Sequence, residues 1–336
     1  MSDGRLPGER KRELLVRSEC RPGGHGKDPC SRSVVELLDK GVINLDKPYG
    51  PTSHEVTAWA KNILHIDRAG HSGTLDPHVT GVLPIMLGDA TRLVRVLLLS
   101  GKEYVCVMRL HADVPEARVR AVLEEFTGVI YQRPPLVSAV KRQLRKRTIY
   151  YIDFLEIRGR DVLFKVGCEA GTYIRKLCHD IGEALGTGAH MFELRRTRSG
   201  PFMEDETLVT LQDLTDAYFY YTQGDEAPLR KIILPMERAL RNMPGIVVKD
   251  SAVDALAEGA PLYVQGICKV DTGIEKGDMV AVFTLKGEVV SIGTAKMATA
   301  ELMAAREGQA MDTLRVVMEP GIYPREWKKN LNDRST

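Results

Sequence analysis

One carboxylate, Asp76, lies in the run Gly70-His71-Ser72-Gly73-Thr74-Leu75-Asp76-Pro77-His78-Val79-Thr80-Gly81, among three glycines, one proline and three hydroxyl side chains. Glycine and proline break helices and strands, and Ser and Thr compete for backbone hydrogen bonds, so a tight loop is expected here. Such a backbone can approach a ligand closely and present the carboxylate to it. A lone Asp-Pro can also do no more than open a turn before the Val79–Leu87 segment, so the rest of the chain must decide. Three further segments carry chemistry: Lys102-Glu103-Tyr104, Gly171-Thr172-Tyr173-Ile174-Arg175, and Leu194-Arg195-Arg196-Thr197-Arg198-Ser199-Gly200-Pro201-Phe202. Each has a plain reading: Tyr104 as core, Tyr173 as packing at a helix start, Arg175 as a surface residue off an apolar stripe.

Charge distribution points to the ligand. The chain is nearly neutral, at +2 over 336 residues. Yet residues 126–152 hold no acid while including Arg133, Lys141, Arg142, Arg145, Lys146 and Arg147, and Arg195, Arg196 and Arg198 form a second cluster. A solvated charged face interleaves both signs; locally unopposed cations indicate a polyanion.

The elements that must position these residues follow from periodicity and punctuation. Thr52 with Glu55 forms a capping box opening a helix over about residues 53–64. Tyr104, Cys106, Met108 and Leu110 alternate as in a half-buried strand. Pro115 starts a helix with Val119, Val122, Leu123 and Phe126 on one face, stopped by Gly128. Residues 152–157 and 162–168 read as strands around Gly159. A helix over residues 173–185 buries Ile174, Leu177, Cys178, Ile181 and Leu185. Strands and helices mix without a βαβ rhythm, so the fold class is α+β. Past Pro244 a helix at residues 251–258 and strands at 267–270, 279–285 and 288–295 suggest a small β-rich domain, a compact barrel.

The six cysteines form no Cys-x-x-Cys pair, and Cys20, His25 and Cys30 lack further ligands at metal-site spacing. They are expected to be reduced thiols of an intracellular protein, with no metal site. No apolar run approaches the ~18 residues that span a bilayer, and residues 1–12 do not read as a secretory signal.

Taken with Asn44-Leu45-Asp46-Lys47-Pro48-Tyr49-Gly50-Pro51-Thr52-Ser53, the three segments and the Asp76 loop resemble the motif set of the TruB-type RNA pseudouridine synthases. Residues 132–142 and Gly321-Ile322-Tyr323-Pro324-Arg325-Glu326-Trp327 narrow the resemblance to the archaeal homologues of dyskerin, catalytic subunits of H/ACA guide-RNA particles. The resemblance spans roughly residues 40–328 and its long motifs fall in order. It implies a catalytic domain at residues 41–243, with a mixed, largely antiparallel sheet and flanking helices. It also implies a PUA barrel at 244–328, a tail at 329–336, and an extension at 1–40 packing on the PUA domain through Leu14–Val16.

By resemblance, Asp76 is the catalytic aspartate, Arg175 its ion-pair partner, and Tyr104 the ring stacking on the target uracil. Tyr173 lies near the base carbon that loses its proton, Leu194 packs beneath, and His71 helps pry out the base. Lys47, Arg133, Lys141, Arg142, Arg145, Lys146, Arg147, Arg195 and Arg196 are expected to contact RNA, several of them from a mobile thumb-like loop at 131–150. Pseudouridylation exchanges an N1–C1′ bond for a C5–C1′ bond, so no cofactor is expected. Expected partners are guide RNA, rRNA or tRNA substrate and small H/ACA accessory proteins. Because the chain ends at Thr336 without a Lys-rich tail, a cytoplasmic setting is expected rather than a nucleolar one. A stand-alone tRNA uridine-55 synthase and a non-catalytic RNA-binding scaffold are the rival readings.

Overall fold

A computed structural model describes residues 6–9, 11–133 and 143–325. The chain divides into two compact units, one holding residues 6–9, 43–87, 94–133 and 143–232, the other residues 11–42, 88–93 and 233–325. Residues 88–93 and 233–243 thus fall in the second unit, although the expected catalytic domain ran through them.

In the first unit the sheet runs in the order Leu208–Val209, Gly41–Lys47, Thr80–Leu87, Ala189–Ser199, Lys102–Leu110, Asp161–Cys168, Arg145–Arg158, Gly128–Gln132. From Ala189–Ser199 to Gly128–Gln132 every neighbour is antiparallel. Thr80–Leu87 lies parallel to Ala189–Ser199, and Leu208–Val209 parallel to Gly41–Lys47, so the sheet is mixed and largely antiparallel. Helices Glu116–Glu125 and Ile174–Leu185 turn the expected apolar stripes inward: Val119, Val122, Ile174, Leu177, Cys178 and Ile181 pack on Cys106, Met108 and Phe164. Burying each large side chain of this set contributes about 1.5–3 kcal/mol. Helix Ile174–Leu185 stops where Gly186 turns left-handed at φ 77°, a conformation cheap only for glycine.

The hairpin Gly128–Gln132/Arg145–Arg158 corrects the sequence reading of residues 131–150. Tyr131 and Gln132 pair with Lys146 and Arg145, so both ends of the expected loop are strand. Residues 134–142, which include Lys141 and Arg142, lie outside the described residues.

The second unit is a curled half-barrel of seven strands, ordered Leu14–Val16, Ile267–Asp271, Gly245–Val248, Met279–Phe283, Val289–Ala295, Gln309–Val316, Leu262–Tyr263. Leu14–Val16 is an edge strand on Ile267–Asp271, its register continued by Glu13 with Thr272 and by Ser18 with Ile267. That pairing brings Cys20 beside Cys268, and the two form a disulfide, contrary to the expectation of six free thiols. A separation of 248 residues hid this partnership. Cys106, Cys168 and Cys178 are buried free thiols, as their apolar settings suggested, and Cys30 is exposed. Thiol titration is therefore expected to find one reactive group in the native chain, four after unfolding without reductant and six after reduction. Six in the unreduced, unfolded chain would rule the bridge out.

Candidate active site

The Asp76 loop connects strands Ala69–His71 and Thr80–Leu87, which pair antiparallel from Ala69↔Leu87 to His71↔Ile85. The glycine-rich run is therefore strand at both ends and irregular only in its middle, a correction to the reading of the whole run as loop. Gly81 explains the second end. Its φ is 105°, and a Cβ there would lie 2.2 Å from the Arg196 carbonyl oxygen, so only glycine lets the strands pair at this point.

The loop is pinned from beneath. The Lys47 ammonium, fully buried, donates to the carbonyls of Pro48, Pro77 and Val79 at 2.9, 3.1 and 2.9 Å. Burial lowers its pKa, the Asp76 charge opposes that, and Arg196 adds to it. Ser53, the first residue of helix Ser53–Ile63, accepts from the Leu75 N–H at 2.8 Å and donates to the Leu75 carbonyl at 3.1 Å. The expected Thr52–Glu55 capping box holds that helix start in place. Arg196, also buried, donates to the carbonyls of Val82 (2.7 Å) and Gly73 (3.1 Å) and lies within electrostatic reach of the Tyr104 hydroxyl.

Lys47 and Arg196 therefore do not reach phosphate, and the expectation that they contact RNA is corrected. Their charge is spent on backbone carbonyls inside the protein. Arg195 is ion-paired as well, bidentate to Asp46 at 3.0 and 2.8 Å and bonded to Glu204, which leaves little for RNA. Arg147 faces Glu169 at 3.5 Å. Arg133 and Lys146 are exposed, and the Lys146 ammonium lies 5.8 Å from the Tyr131 ring centroid. Arg145 is half-buried on the same strand.

Onto the pinned loop the fold brings Arg175. It is the second residue of helix Ile174–Leu185, off the buried stripe, and its Nη2 forms an ion pair with Asp76 Oδ2. The two side chains keep 53% (Asp76) and 59% (Arg175) of their accessible surface, so the pair is open to an incoming ligand. Tyr173 precedes the helix and is half-buried. Its backbone N–H donates to Gln132 Oε1 at 3.0 Å, and its carbonyl accepts from Gln132 Nε2 at 3.1 Å. Gln132, buried at the end of its strand, was missed by sequence reasoning, because nothing about a lone Gln marks it as a clamp. Tyr104 stands on Lys102–Leu110, its ring half-buried; burial raises its hydroxyl pKa, the Arg196 charge opposes this, and the Asp76 charge adds a little to it. Leu194 packs with Tyr104 against the core, opposite Cys106 in register.

His71, at the start of the loop, meets His54 edge-on, with ring centroids 4.8 Å apart and planes at 73°. Its Nδ1 is buried with no hydrogen-bond partner among the described residues. Burial first, then His54 and Arg196, push its pKa down from 6.5 to about 4. A histidine depressed in this way binds fewer protons folded than unfolded, so its contribution to stability is complete above pH 6.5 and is lost as the pH falls from there to about 4. The His71 ring resonances are expected to hold their neutral positions at pH 5.5 and titrate near 4. A midpoint at or above 6.5 would show the ring to be solvated.

Among the described residues, no three His, Cys, Asp or Glu side chains are arranged to hold a metal ion, and no helix is long and apolar enough to cross a membrane.

Residues 61–118 and 112–174 match the TruB family pseudouridylate synthase (N terminal domain), and 175–241 match the tRNA pseudouridylate synthase B C-terminal domain. Residues 244–317 match the PUA domain and 5–57 the DKCLD (NUC011) domain. The chain is thus a pseudouridine synthase, an isomerase of uridine in RNA. Within that class it belongs to the TruB family. The probable tRNA pseudouridine synthase B of Methanopyrus kandleri is 57% identical over 327 residues, 97% of this chain and 96% of the relative. That of Methanosarcina barkeri is 56% identical over 328 residues, 97% of each. A solved H/ACA RNP bound to a substrate RNA containing 2′-deoxyuridine has a chain with TM-score 0.90 and 53% identity, the match covering 96% of this chain and 99% of that one. A Cbf5–Nop10–Gar1 complex has one with TM-score 0.90 and 55% identity, covering 95% and 98%.

Proposed function

We propose that this synthase is the catalytic subunit of an H/ACA-type particle, with Asp76 as the catalytic carboxylate and uridine choice delegated to a guide RNA. The observation that carries the catalytic assignment is the Asp76–Arg175 ion pair on a loop pinned from below by Lys47 and Ser53. The guide assignment rests on likeness over nearly the whole chain to proteins solved in H/ACA complexes.

The chemistry follows from the placement. The target uracil must leave its stack, which costs a few kcal/mol. Tyr104 offers a face worth about 1–3 kcal/mol in return, and Leu194 supports the site from the core side. His71, neutral by virtue of its burial, can wedge into the vacated stack without the cost of desolvating a charge. Asp76 then meets the sugar–base junction. Once RNA covers the pair and drives off water, the Arg175 guanidinium balances the carboxylate's charge through their ion pair. Tyr173, its backbone clamped by Gln132, faces the base while C5 exchanges its proton for the bond to C1′.

Arg133 and Lys146, with Arg145 beside them, supply phosphate contacts, and accessory proteins of the kind seen in the solved complexes complete the particle. The setting proposed is the cytoplasm. The test is isomerisation of a guide-paired substrate, with accessory proteins present, against free tRNA. Guide-dependent turnover is expected; equal turnover of tRNA without a guide or accessory proteins would favour the stand-alone tRNA enzyme, which the relatives' names also support.

A further inference from the structure

Beside the catalytic loop lies an aromatic pair that the proposed reaction leaves unused. The rings of Tyr49 and His78 stand 5.0 Å apart at an interplanar angle of 36°. Tyr49 keeps 66% of its surface exposed, and His78 is exposed as well. An exposed Tyr on a loop is usually idle, but the backbone beneath this one is held. The Gly50 N–H donates to the Pro77 carbonyl at 2.9 Å, and the buried Lys47 ammonium bonds the carbonyls of both Pro48 and Pro77. The pair is therefore built into the same cradle that positions Asp76. His78 follows Asp76 by two residues, so their Cα atoms are no more than about 7 Å apart.

We propose that Tyr49 and His78 form a stacking seat for the nucleobase next to the target uridine in the substrate strand. The proposal rests on the reading of Asp76 as the carboxylate that acts on that uridine. Extruding one nucleotide strips its neighbours of a stacking partner and leaves a bare π-face on each. A rigid aromatic face about one nucleotide from Asp76 replaces what the neighbour has lost. Stacking of this kind accepts any base, because every base has a π-face. It therefore suits an enzyme that takes sequence from base pairing and needs only register from the protein. Tyr104 receives the target base itself; Tyr49 and His78 hold the strand beside it, so that the ribose of the target stays facing Asp76.

The test uses the full chain with guide, accessory proteins and substrates carrying 2-aminopurine on the 5′ or the 3′ side of the target. Stacking quenches this base analogue, so wild type is expected to quench it on one side. Tyr49→Ala is expected to relieve the quenching and raise KM about tenfold, with kcat held within about twofold and Tyr49→Phe restoring both. His78→Ala is expected to give a smaller effect of the same kind. The proposal is overturned if wild type isomerises the target without quenching at either flank, or if Tyr49→Ala and His78→Ala both leave quenching and KM unchanged. Those results leave Asp76 untouched as the catalytic group. Conversely, loss of turnover in Asp76→Asn with quenching intact supports both readings, whereas full turnover in Asp76→Asn removes the catalytic reading on which the seat depends.

Discussion

Asp76→Asn is expected to abolish uridine isomerisation, by about 10⁴-fold or more, while leaving RNA affinity within about threefold. The substitution keeps the shape of the side chain and can still accept a hydrogen bond from Arg175, so the loop should hold its position. What it removes is the negative charge and the nucleophilic or basic oxygen. Affinity survives because phosphate contacts, which dominate binding to nucleic acid, come from elsewhere. Removing an exposed carboxylate from a surface that meets RNA can even tighten binding slightly, and the Kd should then fall as kcat vanishes. The measurement is single-turnover conversion beside equilibrium binding at matched salt. Full conversion by Asp76→Asn would remove Asp76 from the chemistry.

Lys47→Met is expected to damage stability and catalysis without touching the salt dependence of RNA binding. The ammonium serves three carbonyls, those of Pro48, Pro77 and Val79, and each left bare inside the protein costs about 1–3 kcal/mol. Relief from burying a cation offsets part of this, so the net loss is expected at about 2–4 kcal/mol. That corresponds to a fall in Tm of roughly 5–15 °C for a unit of this size. The loop that carries Asp76 loses its floor, and turnover should fall with it. Lys146→Ala, on an exposed position of the hairpin, should behave in the opposite way. Its Tm should hold, while the slope of log K against log salt flattens by about 1. If Lys47→Met flattened the slope and spared the melt, the lysine would be a phosphate contact after all.

The contrast between these two lysines marks where the sequence was legible. Lys47 was expected at RNA by resemblance and Lys146 as part of a basic run, and nothing in residue type distinguishes an ammonium caged by carbonyls from one facing solvent. The cage is made by residues 47–48 and 77–79, which approach only when Gly41–Lys47 and Thr80–Leu87 enter one sheet. The same holds for Arg196, whose acceptors on Gly73 and Val82 lie more than a hundred positions away in the chain. Local chemistry was readable: the Thr52–Glu55 capping box, the stripes of the two core helices and the break in backbone around Asp76 are set by neighbours three or four residues apart. Pairings across the fold were not. Cys20 with Cys268, and Gln132 with the backbone of Tyr173, carry no local signature. The mixed, largely antiparallel sheet followed from the family resemblance, but its strand limits did not, because Arg145–Thr148 read as a basic loop and fold as strand once paired with Gly128–Gln132.

The arrangement also explains why an exposed ion pair can serve as the centre of the site. Asp76 and Arg175 are open in the free chain, so the pair contributes little to stability there. Covered by RNA, the same pair sits in a drier medium, where the guanidinium gains its full influence over the carboxylate. The protein thus spends two buried cations, Lys47 and Arg196, on holding the loop and leaves the exposed Asp76–Arg175 pair for the substrate.

The most direct test is the structure of Asp76→Asn in complex with guide, accessory proteins and substrate RNA. The target uracil is expected out of its stack against the Tyr104 ring, with residue 76 within about 3–4 Å of the sugar–base junction and Arg175 beside it. A target base left stacked in the RNA, or extruded into a place remote from residue 76 and Tyr104, would contradict the account.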